Sequence, residues 1–226
     1  MVRTKNPHTA VHGALCRDEI CEQLLRHLSD APRSWHLEVA PSTIAGAGEG
    51  VHLIGSCAVG TAVAIYCGVA YAADDLPTMH KLVLPNNSYV MARRDGIIID
   101  GRPDGTSQQF FEVAVQRDIA AGASPLVYTE LAVGQKVNHP ARGERPNVRA
   151  QPLDLQPDEF VDLHRLLPTV NFRPPAPGEP SKRTVVLIAE RDLRDEELWL
   201  DYKLNPDGPL ESWYAPVLPA RAGGDE

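Results

Sequence analysis

Gly134-Gln135-Lys136-Val137-Asn138-His139-Pro140-Ala141-Arg142-Gly143-Glu144-Arg145-Pro146-Asn147 is too polar to be core, yet it follows the apolar lead-in Leu131-Ala132-Val133. It carries an amide and an imidazole side by side, and a second Asn nine residues on, after Pro146. Asn, Pro and Gly are ordinary turn formers. The stretch therefore takes on chemical meaning only from what accompanies it elsewhere in the chain.

Upstream stands Ser42-Thr43-Ile44-Ala45-Gly46-Ala47-Gly48-Glu49-Gly50-Val51, with three glycines in five residues. Such a run permits close backbone approach. It is not a phosphate loop, because no Lys-Ser/Thr follows and no helical period opens behind it. A glycine-rich hairpin is the plain alternative. The short alternating run Trp35 to Val39 before it reads as a strand.

Residues 51 to 73 contain no Asp, Glu, Lys or Arg, a length that could cross a bilayer. Gly55, Gly60 and Gly68 break that run into strand-length, β-branched pieces such as Thr61 to Tyr66. The expectation is two buried strands and no membrane span, with Tyr66-Cys67-Gly68 at the end of the second. Tyr89 to Arg93 and Ile97 to Asp100 flank Asp95-Gly96, a hairpin signal. A further turn is expected at Arg102-Pro103-Asp104-Gly105. Residues 106 to 130 offer a strand around Phe110, Phe111, Val113 and Val115 and otherwise read as an insertion.

Two helices are predicted. Cys21, Leu24, Leu25 and Leu28 recur at helical spacing within residues 14 to 29, ahead of Pro32. Pro157-Asp158-Glu159 opens a second, with Phe160, Leu163, Leu166 and Leu167 on its apolar side and Pro168 closing it. Pro174, Pro175, Pro177 and Pro180 mark an extended loop, and Thr184 to Ala189 is a buried strand by composition. It leads into the charged segment Glu190 to Tyr202.

The chain has 226 residues, 43% of them hydrophobic, enough for one sizeable core. Its 30 Asp and Glu outnumber 22 Lys and Arg, for a formal charge of -8. That disfavours direct nucleic-acid binding and suits a basic partner such as a Lys-rich segment. Cys16, Cys21, Cys57 and Cys67 form no Cys-x-x-Cys pair, and no secretory leader pattern precedes them. Reduced thiols in an intracellular protein, nuclear or cytoplasmic, are expected. His8, His12, Cys16 and Cys21 lie on one helical stripe and cannot surround a tetrahedral zinc, so no metal is expected.

Taken in order, these pieces resemble the SET-domain family of protein lysine methyltransferases. Ala47-Gly48-Glu49-Gly50-Val51 resembles its first glycine motif, and Tyr66-Cys67-Gly68 its Tyr-x-Gly strand end. Val137-Asn138-His139 with Pro146-Asn147 resembles its Asn-His…Pro-Asn motif, and Glu196-Glu197-Leu198 through Asp201-Tyr202 its Glu-Glu-Leu…Tyr signature. The resemblance covers about residues 42 to 203. Pro140 stands where the family usually has Ser, the spacer before Pro146 is long, and Asp195 replaces a common Gly. The last is tolerable if that turn needs no positive φ. The family's Cys-rich zinc-binding tail has no counterpart after Cys67.

The resemblance implies a mostly β fold with short helices (α+β), built of small β-sheets and closed by a C-terminal pseudoknot, an exception to ordinary topology. It divides the chain into a tail and helix (1–34), a SET-like domain (35–203) with insertions near 101–130 and 150–183, and a closing segment (204–226). It implies transfer of a methyl group from S-adenosylmethionine to a lysine of a protein substrate. Ala47, Gly48, Glu49, Gly50, Asn138 and His139 would hold the cofactor, while Tyr202 would shape the reaction site and Tyr66 line the lysine entrance. Trp213, in Leu210-Glu211-Ser212-Trp213-Tyr214, would stack on adenine or else seal a hydrophobic edge. A catalytically silent, SET-shaped binding module is the rival reading.

Overall fold

Trp35 and Leu37 face inward and alternate with exposed neighbours, and the strand they form, β1 (Trp35–Pro41), pairs antiparallel with β2 (Glu49–Cys57). The register runs from Trp35 opposite Gly55 to Pro41 opposite Glu49, so the glycine-rich stretch is the connection of a hairpin. The structure is a computed structural model that describes residues 15–29, 32–85 and 87–203. Expectations for residues 1–14 and 204–226, including the closing segment and Trp213, lie outside the described residues.

Helix α1 (Arg17–Leu28) starts on a capping box: Cys16 Sγ accepts from the Glu19 amide, and the Glu19 carboxylate accepts from the Cys16 amide at 2.8 Å. Its Ile20, Cys21 and Leu24 are buried, as the spacing predicts. Gln23 fastens it to the sheet, donating to Gly60 O and accepting from the Ala62 amide. The charge-free run becomes β2, β3 (Ala62–Tyr66) and β4 (Gly68–Tyr71), one strand more than expected. β3 is buried at every residue. No helix among the described residues is long and apolar enough to cross a membrane.

After helical turns at Ala73–Asp75, α2 (Leu76–Thr78) and Met79–Val83 come β5 (Val90–Ala92) and β6 (Ile98–Asp100), the expected hairpin. Helix α3 (Gly105–Ala120) overturns the strand expected near Phe110. Phe111 and Ala114, one helical turn apart, are buried against Val69, Tyr71 and Val170, whereas Val113 is 69% exposed. An apparent alternation had concealed a helix.

β7 (Val148–Leu155) follows the Asn-His loop and pairs along its whole length with β9 (Lys182–Ala189). The second expected helix shrinks to one turn, α4 (Val161–His164), because Phe160 adopts a left-handed φ of 43° just before it. β8 (Thr169–Asn171) runs parallel to β4, and β10 (Leu193–Glu197) returns antiparallel to β2. Asp195 has a positive φ of 45° at the β10 bulge, so this turn does use the left-handed conformation. Asp tolerates it there, its carboxylate accepting from the Gly55 amide at 2.7 Å.

The architecture is mixed α+β, with ten strands among the described residues in three small sheets, ordered β1-β2-β10, β3-β9-β7 and β5-β6-β4-β8. Beyond β10 the chain stays extended. Trp199 bridges Asn138 in parallel on one side, and Leu200 bridges Val148 in parallel on the other.

Candidate functional site

Three distant segments meet around the carboxylate of Glu197, which is buried. Ser42 Oγ and the Thr43 amide donate to it at 2.7 Å each, Thr43 Oγ1 at 2.5 Å and Asn138 Nδ2 at 3.2 Å. Burial alone would raise its pKa. The donors from Thr43, Ser42 and Asn138 outweigh that cost and hold the carboxyl below its ordinary value. A Cβ at Gly50 would collide with this carboxylate, which explains the glycine there. Gly50→Ala should therefore cost about 1 to 3 kcal/mol by overpacking, read as a lowered melting temperature.

The glycine turn is shaped by the same network. The Ser42 amide donates to Gly48 O at 2.8 Å and closes the loop at its base, while Gly46 and Gly48 take φ of 85° and 74° within it. Asn138 Nδ2 also donates to Glu49 O at 2.9 Å. Both acceptors fix the amide's orientation: nitrogen toward Glu49 and Glu197, oxygen turned away from them. Lys136 Nζ adds an exposed ion pair to the Glu49 carboxylate at 2.9 Å.

The Asn138 loop is set against β3 by another tight approach. Ile65 N–H donates to Leu131 O at 2.7 Å, and a Cβ at Gly134 would lie 2.8 Å from the Ile65 carbonyl and the Tyr66 nitrogen. Only a glycine lets the two backbones come so close. Asn147 then pins the outgoing end of the loop. Fully buried, it accepts from the Trp199 amide at 2.6 Å and donates to Glu197 O at 2.8 Å and to the Glu196 carboxylate at 3.0 Å.

These contacts enclose a cavity of about 480 Å³ lined by Gly46, Ala47, Gly48 and Glu49 of the glycine turn, by Gln135, Lys136 and Asn138, and by Ser88, Tyr89 and Tyr202. Tyr202 is half-buried. Its hydroxyl donates to Val137 O at 3.0 Å, and burial, with Tyr89 nearby, pushes the phenol up to about 12. Tyr66 ends β3 close by. Burial carries its phenol well above the ordinary value, and Tyr202, Asp100, Cys67 and Tyr89 add to the effect. A smaller recess of about 120 Å³ opens beside Cys67, Gly68, Asp100 and Tyr128 and shares Gln135 with the larger cavity.

Of the sequence-selected residues, Ala47, Gly48, Glu49, Asn138 and Tyr202 lie on one cavity wall. Gly50, His139 and Tyr66 stand behind it. His139 is fully buried, with Nδ1 accepting from the Tyr202 amide at 3.3 Å and its ring tilted against the Tyr202 ring. Sequence reasoning missed Ser42 and Thr43 as donors, Glu197 as the group they hold, and Ser88, Tyr89, Gln135 and Lys136 as lining. A Ser-Thr pair leading into a glycine turn was the available signal for the first two. No protein-family model matches the chain, and no curated protein matches it.

Proposed function

We propose that the protein is a SET-type protein lysine methyltransferase that uses S-adenosylmethionine. The observation that carries this reading is the cavity itself, where the glycine turn, Asn138 and Tyr202 converge from positions far apart in the chain. The family's threaded C-terminus is part of the proposal. Its support is the pair of parallel bridges, Asn138 to Trp199 and Val148 to Leu200, which join the last described segment to both ends of the Asn-His loop.

The cavity's donor and acceptor set suits such a cofactor. Asn138, its nitrogen committed to Glu49 O and Glu197, offers an oxygen that would accept from an ammonium group. Ala47, Gly48 and Glu49 would flank the rest of the molecule. Bound there, S-adenosylmethionine would supply a sulfonium methyl, which an uncharged lysine amine takes as the nitrogen–carbon bond forms and the sulfur–carbon bond breaks.

The chain's own residues then position and desolvate. The lysine would enter by the recess at Gly68, which adjoins the cavity through their shared residue Gln135. Tyr89 and Tyr202, on the cavity wall, would border the amine and keep water from it, with Tyr66 packed behind them, which favours the neutral amine. Tyr202 is not assigned as the base, since its hydroxyl donates to Val137 O and burial pushes the phenol up to about 12. Its hydroxyl oxygen, held in place at the cavity wall, would orient the amine and the departing methyl. Alignment of this kind can lower a barrier by about 7 to 11 kcal/mol.

Calorimetry and thermal melting with S-adenosylmethionine test the reading. The cofactor should bind and raise the melting temperature, since a ligand specific to the native state stabilises it. Asn138→Ala should weaken binding by about 1.5 to 3 kcal/mol, or roughly one to two orders of magnitude in affinity. No heat at millimolar cofactor would overturn the proposal. Binding without methylation of any peptide on a broad lysine array would leave the silent module.

A further inference from the structure

A cavity beside α3 and α4 is separate from this one and shares none of its lining residues. It measures about 530 Å³, within the range of small-molecule sites, and has apolar walls from Val115, Ile119, Leu126 and Val161. Val161, 65% exposed, stands at its rim. Two of its polar lining residues, Asn171 and Lys182, are buried, only 4% and 9% exposed, and Asp118, His164 and Arg165 also border the space.

Each has one valence left over. Lys182 Nζ donates to Thr169 O at 2.8 Å and Leu167 O at 3.3 Å, which occupies two of its three hydrogens. Among the described residues no carboxylate forms a salt bridge with it, although Asp118 of the same lining attracts it, and burial pulls its pKa down to about 8. Asn171 Nδ2 donates to Ser181 O at 3.0 Å and Pro180 O at 3.3 Å. Both amide hydrogens are thereby spent and the orientation is set. Asn171 Oδ1 is left buried without a partner.

An unpaired buried cation and an unpaired buried acceptor are each costly. A single ligand can relieve both if it carries an anionic oxygen next to an N–H. We infer that this pocket binds N-acylated apolar amino acids, with the carboxylate on Lys182, the amide N–H on Asn171 Oδ1 and the alkyl side chain among Val115, Ile119 and Leu126. The same chemistry occurs in a free N-acyl amino acid and at a protein C-terminus ending in an apolar residue. It does not depend on methyl transfer elsewhere in the molecule.

The test titrates the full chain with N-acetyl-leucine by calorimetry, beside 4-methylpentanoate, which lacks the N–H, and N-acetyl-leucinamide, which lacks the charge. N-acetyl-leucine should bind, and each analogue should bind roughly tenfold or more weakly. A short N-acetylated peptide ending in leucine separates the sources: tighter binding than the free compound assigns a protein C-terminus, weaker binding the free acid. Lys182→Met should abolish binding. Because Lys182 also holds two backbone carbonyls, Ile119→Trp is the companion variant, filling the pocket from its rim while sparing those bonds. It should keep the wild-type melting temperature and lose the ligand. Absence of binding at millimolar N-acetyl-leucine, equal affinity for the uncharged amide, or unchanged affinity in Ile119→Trp would overturn the inference.

Discussion

Glu197→Ala should lower stability by about 3 to 5 kcal/mol, the range seen when one member of a buried charged network is removed. The loss has a specific origin. Ser42 Oγ, the Thr43 amide, Thr43 Oγ1 and Asn138 Nδ2 all lose their common acceptor in a place with little water. Because the folded carboxyl lies below its ordinary value near 4.5, its contribution is complete at neutral pH. It is lost as the pH falls through the folded value. The gap between wild type and Glu197→Ala in urea unfolding should therefore narrow on acidification. Equal urea midpoints at neutral pH would mean that the network contributes nothing. The glycine turn should loosen at the same time, so cofactor affinity should fall in the variant although Glu197 does not line the cavity.

Glu197 also marks the limit of what the sequence discloses. Its neighbours Glu196 and Leu198 make a recognisable signature, but the signature does not say that the second acid is the strut and not a ligand. Its partners Ser42 and Thr43 lie about 150 residues away, and nothing local encodes such a pairing. Elements governed by local chemistry were legible. The α1 period and Pro32, the Asp95-Gly96 turn and the β-branched Thr184–Ala189 run each became the element they suggest. These signals act within one turn or one strand.

The failures have physical causes at particular residues. Helix α3 hides because Phe110, Phe111, Val113 and Val115 fall on more than one face: Phe111 enters the core, and Phe110 packs edge-on to Phe172 at 4.9 Å. The helix after Pro157 is cut short by tertiary contacts that its propensities do not report. Glu159 is drawn to Arg17 at 2.8 Å, and its carbonyl accepts from His164 Nε2, while Phe160 between them turns left-handed. Asp195 shows the reverse case. A bond from the Gly55 amide supports a conformation for which glycine was expected. The pocket at Lys182 was invisible for a similar reason, since its two polar groups are defined by which of their hydrogen bonds remain unmade.

Tyr202→Phe should reduce methyl transfer by roughly a hundredfold or more while leaving cofactor affinity within a few-fold of wild type. The hydroxyl is anchored by donation to Val137 O, so its oxygen is held in a fixed position at the cavity wall. Phe fills nearly the same volume and keeps the ring contact with His139 and the backbone bond to His139 Nδ1. What disappears is one preorganised polar group, worth about 2.7 to 4 kcal/mol of activation energy by analogy with oxyanion-hole donors. An interaction made only in the transition state lowers turnover without weakening the ground-state complex. Single-turnover methylation at saturating cofactor measures the first quantity, and calorimetry the second. The pH profile supplies an independent check. With burial pushing the Tyr202 phenol up to about 12, wild-type rates should rise as the substrate amine deprotonates and show no falling limb from this tyrosine below that value. Phe at 202 should lower the whole curve without moving its midpoint. A shifted midpoint would make the tyrosine a proton carrier, and parallel losses of affinity and rate would make it a wall of the cofactor site.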